Sequence, residues 1–230
     1  MIKMKKEILK LGLIGAFAFI FLGFVNYAPT IAVVQLVKNK AYHKPPKIEE
    51  WKPAQKGAGI ESGTVVKTES KSFLLIKFLD GSFLRVDENT TLEVVGENPK
   101  GNYARKVNIE NGGVDFKVTK VKGKFEFTTP LSVATIRGTE GVLFSRVDAD
   151  TLMVREGEVD FFNKISNLSR TVKAGEVGIS TKDGEITTRS MTESEKRKSE
   201  EIKKAIEKRE IEIRGKTGEG KEIRIKIKEK

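Results

Sequence analysis

The sequence predicts a mainly β protein that has an apolar helix at its N-terminus and a charged helix with a β-hairpin at its C-terminus. Three observations lead to this fold class. From Gly59 to about Thr188, apolar and polar residues alternate in short runs, which is the period of half-buried strands. Turn pairs such as Asp80-Gly81 and Asp183-Gly184 separate these runs. One strand-and-turn unit occurs twice, and no helical period of useful length interrupts the strands.

The repeated unit narrows the architecture of the β region. The segment IENGGVDF at 109–116 returns as VREGEVDF at 154–161, with the turn glycine and the Val-Asp-Phe in the same order. Recurrence of one unit favours stacked coils over a closed barrel. A β-sandwich is the alternative, because the spacing of strands does not separate the two.

The N-terminus predicts a membrane segment. Several lysines precede an apolar run from Leu11 to Val25, and a second apolar run covers Ile31 to Val37. A helix from about Ile8 to about Tyr27 is close to the ~20 residues that cross a bilayer, and the lysines orient residues 1–10 toward the cytoplasm. We expect an uncleaved single-pass anchor in the cell membrane, with the β domain periplasmic or extracellular. A cleaved signal peptide and a buried globular helix are the alternatives.

Composition changes divide the rest of the chain. Residues 38–58 are rich in Lys and Pro and predict a linker, whose Trp51 we expect to pack on the first strands or near lipid headgroups, with ligand stacking as the alternative. Thr192 to Glu195 has the form of a capping box, which predicts a helix start. The predicted segments are a cytoplasmic N-terminus (1–10), the anchor and its continuation (8–37), the linker (38–58), the β domain (59–188) and the charged helix and hairpin (189–230).

Composition also excludes several chemistries. The chain has no cysteine, and its only histidine is His43, so disulfides, thiol chemistry and multi-histidine metal sites are excluded. The formal charge is +11, but much of the excess lies at the two ends. The tail from Arg189 interleaves Lys and Arg with Glu and has no aromatic residue for stacking on bases. We therefore expect no nucleic-acid partner, and an anionic surface is the more suitable one.

Three further patterns suggest chemistry, and we interpret each as structural. GKTGEGKE at 215–222 is close to a phosphate loop, but a glutamate replaces the required hydroxyl residue, so a hairpin turn is expected. Asp148 and Asp150 could suggest calcium, but two carboxylates beside a turn are usually solvated. Asp115 and Asp160 occupy equivalent places in the repeated unit and could stack as a carboxylate pair. Catalysis would also need a pocket and a perturbed pKa, so we expect no metal, no cofactor and no catalytic residue.

The stretch FEFTTPLSVATIRGTEG at 125–141 is the centre of the β region. Its strands are interrupted by Pro130, which cannot donate to a strand ladder. Arg137-Gly138-Thr139 then closes a strand, and Gly138 supplies the backbone freedom for a sharp corner before the alternation resumes.

The run TPLSVATIRGTEG resembles the signature of the FecR domain, a family of bacterial envelope proteins named for a ferric-citrate signalling regulator. Three further stretches are similar to the family pattern and occur in the same order, at 59–94, 154–163 (VREGEVDFFN) and 173–181 (KAGEVGIST). The resemblance covers roughly residues 51–181. It implies a twisted β-solenoid-like stack of short strands.

The resemblance also guides the expected site and function. It implies that the corner residues, Pro130, Arg137, Gly138 and Thr139, are structural, with a ligand or partner contact as the alternative. Signalling members of the family carry a cytoplasmic anti-sigma segment before the membrane helix and a receptor-contacting module after the β domain. The expected cytoplasmic part here is about ten residues, and the tail has no visible match to that module.

The sequence therefore predicts a non-enzymatic, outward-facing, membrane-anchored binding or structural protein of the bacterial envelope. Its expected partner is an envelope protein or an anionic cell-surface polymer. The alternative function is a sensor or regulatory component of transmembrane signalling, related to FecR-type sigma-factor regulators. An enzyme acting on envelope glycan is a third alternative, for which no nucleophile–base pair, metal cluster or cofactor loop is visible.

Overall fold

The computed structural model describes residues 30–97, 104–120, 123–210, 212–216 and 222–226. The predicted anchor helix, 8–27, and the turn of the phosphate-loop-like segment, 217–221, lie outside the described residues. Within the described ranges, no helix combines the length and hydropathy that a bilayer span requires.

The described chain is mainly β, as predicted, and its seventeen-stranded sheet is followed by one helix and a separate hairpin. The strands of the sheet are β1 (Thr30–Lys38), β2 (Ala41–Lys44), β3 (Lys52–Pro53), β4 (Gly59–Glu61), β5 (Thr64–Thr68), β6 (Phe73–Phe78), β7 (Phe83–Val86), β8 (Thr91–Glu97), β9 (Ala104–Lys117), β10 (Phe125–Thr128), β11 (Ser132–Ile136), β12 (Glu140–Ser145), β13 (Ala149–Glu156), β14 (Glu158–Asn163), β15 (Ser169–Lys173), β16 (Glu176–Thr181) and β17 (Ile186–Ser190). The helix α1 (Glu193–Glu210) and the hairpin strands β18 (Glu212–Lys216) and β19 (Glu222–Lys226) complete it.

The strand ladders separate into two layers that share β9. The first layer has the order β4, β1, β6, β7, β9, β12, β13, β16, β17. The second layer has the order β3, β2, β5, β8, β9, β10, β11, β14, β15. Residues 104–111 of β9 pair in the second layer and residues 112–117 in the first. The β9–β10 pairing is parallel, which makes the sheet mixed.

The core lies between the two layers. Alternation sends every second side chain inward, and these side chains form one cluster of buried aliphatic and aromatic residues. Phenylalanines connect the layers directly: the ring centroids of Phe78 and Phe125 are 5.3 Å apart, and those of Phe116 and Phe127 are 4.8 Å apart. Burial of one such side chain stabilises a fold by about 1.5–3 kcal/mol, so these contacts fix the layers face to face.

Different turns and corners lie at the two ends of the layers. We call the end at which β1 begins, at Thr30, the proximal end, and the end at which β1 stops, at Lys38, the distal end. The register places the 79–82 turn and the 137–139 corner at the proximal end. The turns around Pro130 and Val147 lie at the distal end.

The repeated unit corresponds to a crossing between the layers. In the first copy β9 passes from the second layer to the first at Gly112, whose φ is +104°. In the second copy the chain passes from β13 in the first layer to β14 in the second at Gly157, whose φ is +81°. The repeat therefore marks the same local corner used in opposite directions.

The structure differs from the sequence prediction between residues 30 and 58. Residues 30–37, expected to continue the anchor, form β1, which buries Ala32 and Val34 against β6. The expected linker, 38–58, contains β2 and β3 and returns to β1 through a hydrogen bond from Val34 to Ala58. An apolar run that forms a buried strand has the same hydropathy as one that crosses a membrane. The sequence-based prediction therefore placed the start of the β domain at Gly59, whereas its first strand begins at Thr30.

The C-terminal elements follow the prediction. The nitrogen of Thr192 donates to the Glu195 carboxylate at 2.8 Å, and the nitrogen of Glu195 donates to Thr192 Oγ1 at 3.3 Å, which is the predicted capping box. Strands β18 and β19 pair antiparallel, as expected for the tail hairpin.

Candidate functional site

The predicted corner packs closely and is mostly enclosed. Gly138 has a φ of +69°, and a β-carbon there would lie 2.9 Å from Cβ of Lys120. Thr139 is 1% exposed, and its Oγ1 donates to the backbone carbonyl of Glu158 at 3.0 Å. Arg137 is exposed. These contacts tie the corner to the next crossing between the layers, so the buried groups here are occupied by the fold itself.

The structure does not bring all four predicted corner residues together. Pro130 is exposed in the turn between β10 and β11, at the distal end, whereas Arg137 to Thr139 lie at the proximal end of β11. A strand of this length separates them by roughly 15–20 Å. Any ligand contact involving Arg137 would therefore not include Pro130.

The pair Asp148 and Asp150 is also separated. Asp150 is fully buried and accepts hydrogen bonds from the hydroxyls of Ser132, at 2.5 Å, and Thr129. Burial raises its pKa, and these hydrogen bonds oppose the rise. Asp148 is exposed and pairs with Lys182 at 2.5 Å. The two carboxylates therefore have different partners and do not form a common binding site.

Asp115 and Asp160, which the repeat placed in equivalent positions, do not stack. Asp115 lies in the first layer, and both its oxygens accept from Arg155, at 2.6 and 2.7 Å. Asp160 lies in the second layer, is exposed, and accepts from Thr171 at 3.2 Å. The possible carboxylate pair does not form, because the two copies of the repeat cross between the layers in opposite directions.

The Asp115–Arg155 pair is part of a charged network beneath α1, on the outer face of the first layer. Arg155 Nη1 also donates to Ser199 of α1 at 3.1 Å. Glu140 contacts Lys117 at 2.8 Å and Lys203 of α1 at 3.0 Å. Burial raises the pKa of Glu140, but hydrogen bonds from the two lysines outweigh it and lower the pKa below the usual range. Polar contacts therefore connect α1 to the sheet.

A small apolar cluster lies next to this network and is also on the outer face. Its buried members are Val142, Met153, Val177 and Met191. Met191 directly precedes the helix, and its nitrogen donates to the carbonyl of Gly175 at 2.8 Å. The residue that precedes α1 is thus anchored to the sheet, and the charged network adds contacts through Ser199 and Lys203.

Beside α1, towards the distal end, the outer face contains a groove of about 850 Å³. Its floor is apolar and is formed by Leu36, Phe73, Leu75 and Phe144. A β-carbon at Gly113 would lie 2.6 Å from the Phe144 ring, so the ring rests directly on the glycine backbone. The absence of a side chain at this glycine is what gives the groove its depth.

Charged side chains surround the floor. The cations that line the groove are Lys38, Lys71, Arg85, Arg146 and Lys198, the last of which belongs to α1. Three of them lie over rings of the floor: Arg85 and Lys38 over Phe73, at 4.8 and 5.9 Å from its centroid, and Arg146 over Phe144 at 6.0 Å. These are cation–π distances, so the cations are held at the rim.

Two acidic residues line the same groove, Asp87 and Glu88. Asp87 lies 2.8 Å from Arg85. Burial raises the pKa of Asp87 to about 6, although Arg85 and Lys198 oppose the rise. With five cations and two acids, the lining has a positive excess even when both acids are ionised.

Sequence reasoning did not identify this groove. Its residues come from β1, β6, β7, β9, β12, α1 and the loops that precede β6 and follow β7 and β12, and the ladders of the first layer bring these strands together. Alternation could have shown that Phe73 and Arg85 face away from the core. It could not have shown that the residues after Lys38 and Asp87 turn into the second layer and leave the floor open.

Comparison with known proteins gives one family match. Residues 64–160 match the model of a family described as FecR protein. Two crystal structures of a protein from Parabacteroides distasonis, provisionally described as an anti-sigma factor, are similar with a TM-score of 0.49 and 17% identity. Each alignment covers 55% of this chain, and the chain spans 59% of the length of those structures. No curated protein matches the sequence.

Proposed function

We propose that the protein, whose residues 64–160 match the FecR family model, is a FecR-type signalling regulator whose β domain receives its signal by binding another protein. The observation that carries the proposal is the position of the groove, most of whose lining belongs to residues 64–160, next to α1, which contributes Lys198. Lys198 lines the groove, and the next residue, Ser199, accepts a hydrogen bond from Arg155 at 3.1 Å. A molecule in the groove therefore has a direct physical route to the helix.

The charged network explains how such a signal would pass. Two polar contacts join α1 to the sheet, Arg155 with Ser199 and Glu140 with Lys203. A charged group that enters the groove changes the electrostatic potential at these contacts and would therefore shift the position of α1. The link from the groove to α1 is thus suited to regulation.

The solenoid-like description of the fold belongs to this proposal. The corner at 137–139, the crossing at 157 and the following corner contact one another, because Thr139 donates to Glu158 and Ala174 donates to Gly157. Stacked units of this kind offer an elongated outer face that repeats along the layers. Such a face suits recognition of another protein.

We also propose that the regulator is membrane-anchored through residues 8–27, with its β domain outside the cytoplasm and without enzymatic activity. Thr30 begins β1 at the proximal end. An anchor before Thr30 would therefore place the groove, which opens toward the distal end, away from the bilayer.

Two measurements test the proposal. The first is protease treatment of spheroplasts, which is expected to digest the β domain and leave a short membrane-embedded fragment. A mature protein that starts after Tyr27 and washes off membranes would contradict the anchor. The second is gentle cross-linking of the intact protein in its membranes, followed by identification of the captured molecules. A sigma factor, anti-sigma protein or membrane receptor supports signalling.

A second candidate function is a structural envelope protein that binds an anionic cell-surface polymer. The observation that favours it is the excess of cations around the groove. Capture of glycan fragments, and of no regulatory protein, in the same cross-linking experiment would favour this function over signalling.

A further inference from the structure

We propose that the outer-face groove binds an acidic peptide segment with large apolar side chains, supplied by the protein partner; this inference rests on the proposed signalling function. The groove is defined above by its apolar floor and cationic rim. Its volume, about 850 Å³, is within the ~300–1,000 Å³ range of binding sites for compact ligands.

The floor sets the first requirement on the ligand. Leu36, Phe73 and Phe144 are partly exposed, although each is a large apolar residue, and they are contiguous in the groove. Covering them with polar groups would remove water from those groups without supplying hydrogen-bond partners, which costs free energy. Apolar side chains have no such cost, so they are the groups that fit the floor. This disfavours a hydroxyl-rich glycan.

The rim sets the second requirement. Lys38, Lys71, Arg146 and Lys198 are exposed, and they surround the floor rather than lying on one convex surface. Carboxylates that flank an apolar side chain would reach these cations while the side chain occupies the floor. Complementary charge increases the association rate and excludes basic sequences. A flat anionic membrane could not bring its headgroups to the cations on all sides of a concave site.

The wall formed by α1 gives the binding a consequence. A carboxylate beside Lys198 would hold the helix in its docked position and reinforce the Ser199 and Lys203 contacts with the sheet. Because linkage is reciprocal, a docked helix would also strengthen peptide binding. The groove and α1 thus form one coupled unit.

The first experiment measures peptide binding to the full chain in detergent by fluorescence anisotropy. The probe is a labelled synthetic peptide that alternates Glu with Phe and Leu, and it is compared with a peptide in which Gln replaces Glu and another in which Ser replaces Phe and Leu. We expect both replacements to weaken binding by about tenfold or more, and moderate salt to weaken binding of the parent peptide. Equal binding of all three peptides, or binding of an anionic polysaccharide or anionic vesicles in preference to the parent peptide, would overturn the proposal.

Charge reversal on the protein locates the site. The double variant R146E/K198E is expected to lose about tenfold or more in affinity, because both residues are exposed on the rim. The matched control is K67E, an exposed lysine of β5 in the second layer. Hydrogen exchange of α1 amides should slow when the parent peptide binds, and this protection should be lost in K198E. Equal affinities in the double variant and the control would overturn the assignment.

Photo-cross-linking in membranes separates this inference from the proposed function. A photoreactive residue at Lys38, on the rim, is expected to capture the partner, whereas one at Lys67 is not. A regulatory partner captured only from Lys67 would support signalling and overturn the groove. A non-regulatory acidic protein captured from Lys38 would support the groove and contradict signalling.

Discussion

At the scale of single residues, the corner shows how one backbone angle and one missing side chain fix a crossing between layers. Gly138 combines a positive φ with a close neighbour, whereas Gly175 has a φ of +83° and no atom within 4 Å of its added β-carbon. The two glycines therefore allow backbone strain and steric contact to be separated.

We expect Gly138→Ala to lower the free energy of unfolding by a few kcal/mol and Gly175→Ala to lower it by about 1–2 kcal/mol. Both substitutions introduce an L side chain in the left-handed region, but only the first forces Lys120 to move. Urea denaturation of the full chain measures both. Equal losses in the free energy of unfolding would show that the Lys120 side chain moves aside at no cost in free energy.

Thr139 tests the value of a buried hydroxyl at the same corner. Thr139→Val keeps the shape but leaves the Glu158 carbonyl without that donor, so we expect a loss of about 1 kcal/mol. The control is Thr171→Val, whose hydroxyl bonds to Asp160 at an exposed position, and we expect almost no change. If partner binding falls in Thr139→Val while stability is unchanged, the corner is a contact site.

Asp87 makes stability depend on pH. Its folded pKa, about 6, lies above its ordinary value of 3.8. The folded state therefore holds the proton more tightly, and its stabilising contribution is complete below pH 4 and is lost as the pH rises through about 6. Burial is the main cause of the raised pKa of Asp87, Arg85 and Lys198 oppose it, and the charges of Asp115 and Glu88 add to it.

We expect the wild-type free energy of unfolding to fall by roughly 2–3 kcal/mol more than that of Asp87→Asn between about pH 4 and pH 6, since one pKa unit corresponds to about 1.4 kcal/mol. Parallel stability curves for the two proteins across this range would contradict the burial of Asp87.

At the scale of elements, polar contacts of Ser199 and Lys203 connect α1 to the sheet. Lys203 contacts Glu140, while the adjacent Lys204 is exposed. The two lysines have the same charge and the same helix propensity, but they differ in their contacts with the sheet.

Lys203→Glu is expected to place two carboxylates together and to undock the helix. Hydrogen exchange of α1 amides and of the strand β12 should then accelerate, by about tenfold if the docking contacts are worth about 1 kcal/mol or slightly more. Lys204→Glu should leave exchange unchanged. If both variants exchange alike, Lys203 does not hold the helix.

At the scale of the whole molecule, β1 belongs to the β domain. It pairs with β6 from Ala32 to Lys38 and with β4 from Thr30 to Val33. Its side chains Ala32 and Val34 are completely or almost completely buried in the core.

A fragment 30–230 is therefore expected to fold, whereas a fragment 59–230 should aggregate or melt at a much lower temperature. The shorter fragment exposes the edge of β6 and uncovers the buried face beneath β1. Thermal melting monitored by circular dichroism compares the two. Equal melting temperatures of the two fragments would show that residues 38–58 act only as a linker.

Sequence reasoning reached the elements whose signals are local. Strand alternation, the capping box at Thr192 and the tail hairpin were predicted because each depends on residues within a few positions of one another. The prediction for residues 30–58 differs from the structure, and the surroundings of Asp115 were not predicted, because both depend on distant partners. Strand β1 is recognisable only beside β6, and Asp115 only opposite Arg155.

Local signals in the sequence predicted a mainly β fold followed by a charged helix and a hairpin, because periodicity and turn residues depend on neighbouring positions, and residues 64–160 match the FecR family model. The start of the domain and the existence of the groove follow from the tertiary structure alone. Strands from residues 36 to 145, the loops beside them and Lys198 of α1 form that groove, and the ladders of the first layer set which of the strand residues lie side by side. Local patterns contain no information on that pairing, which follows from how the layers close over their common core.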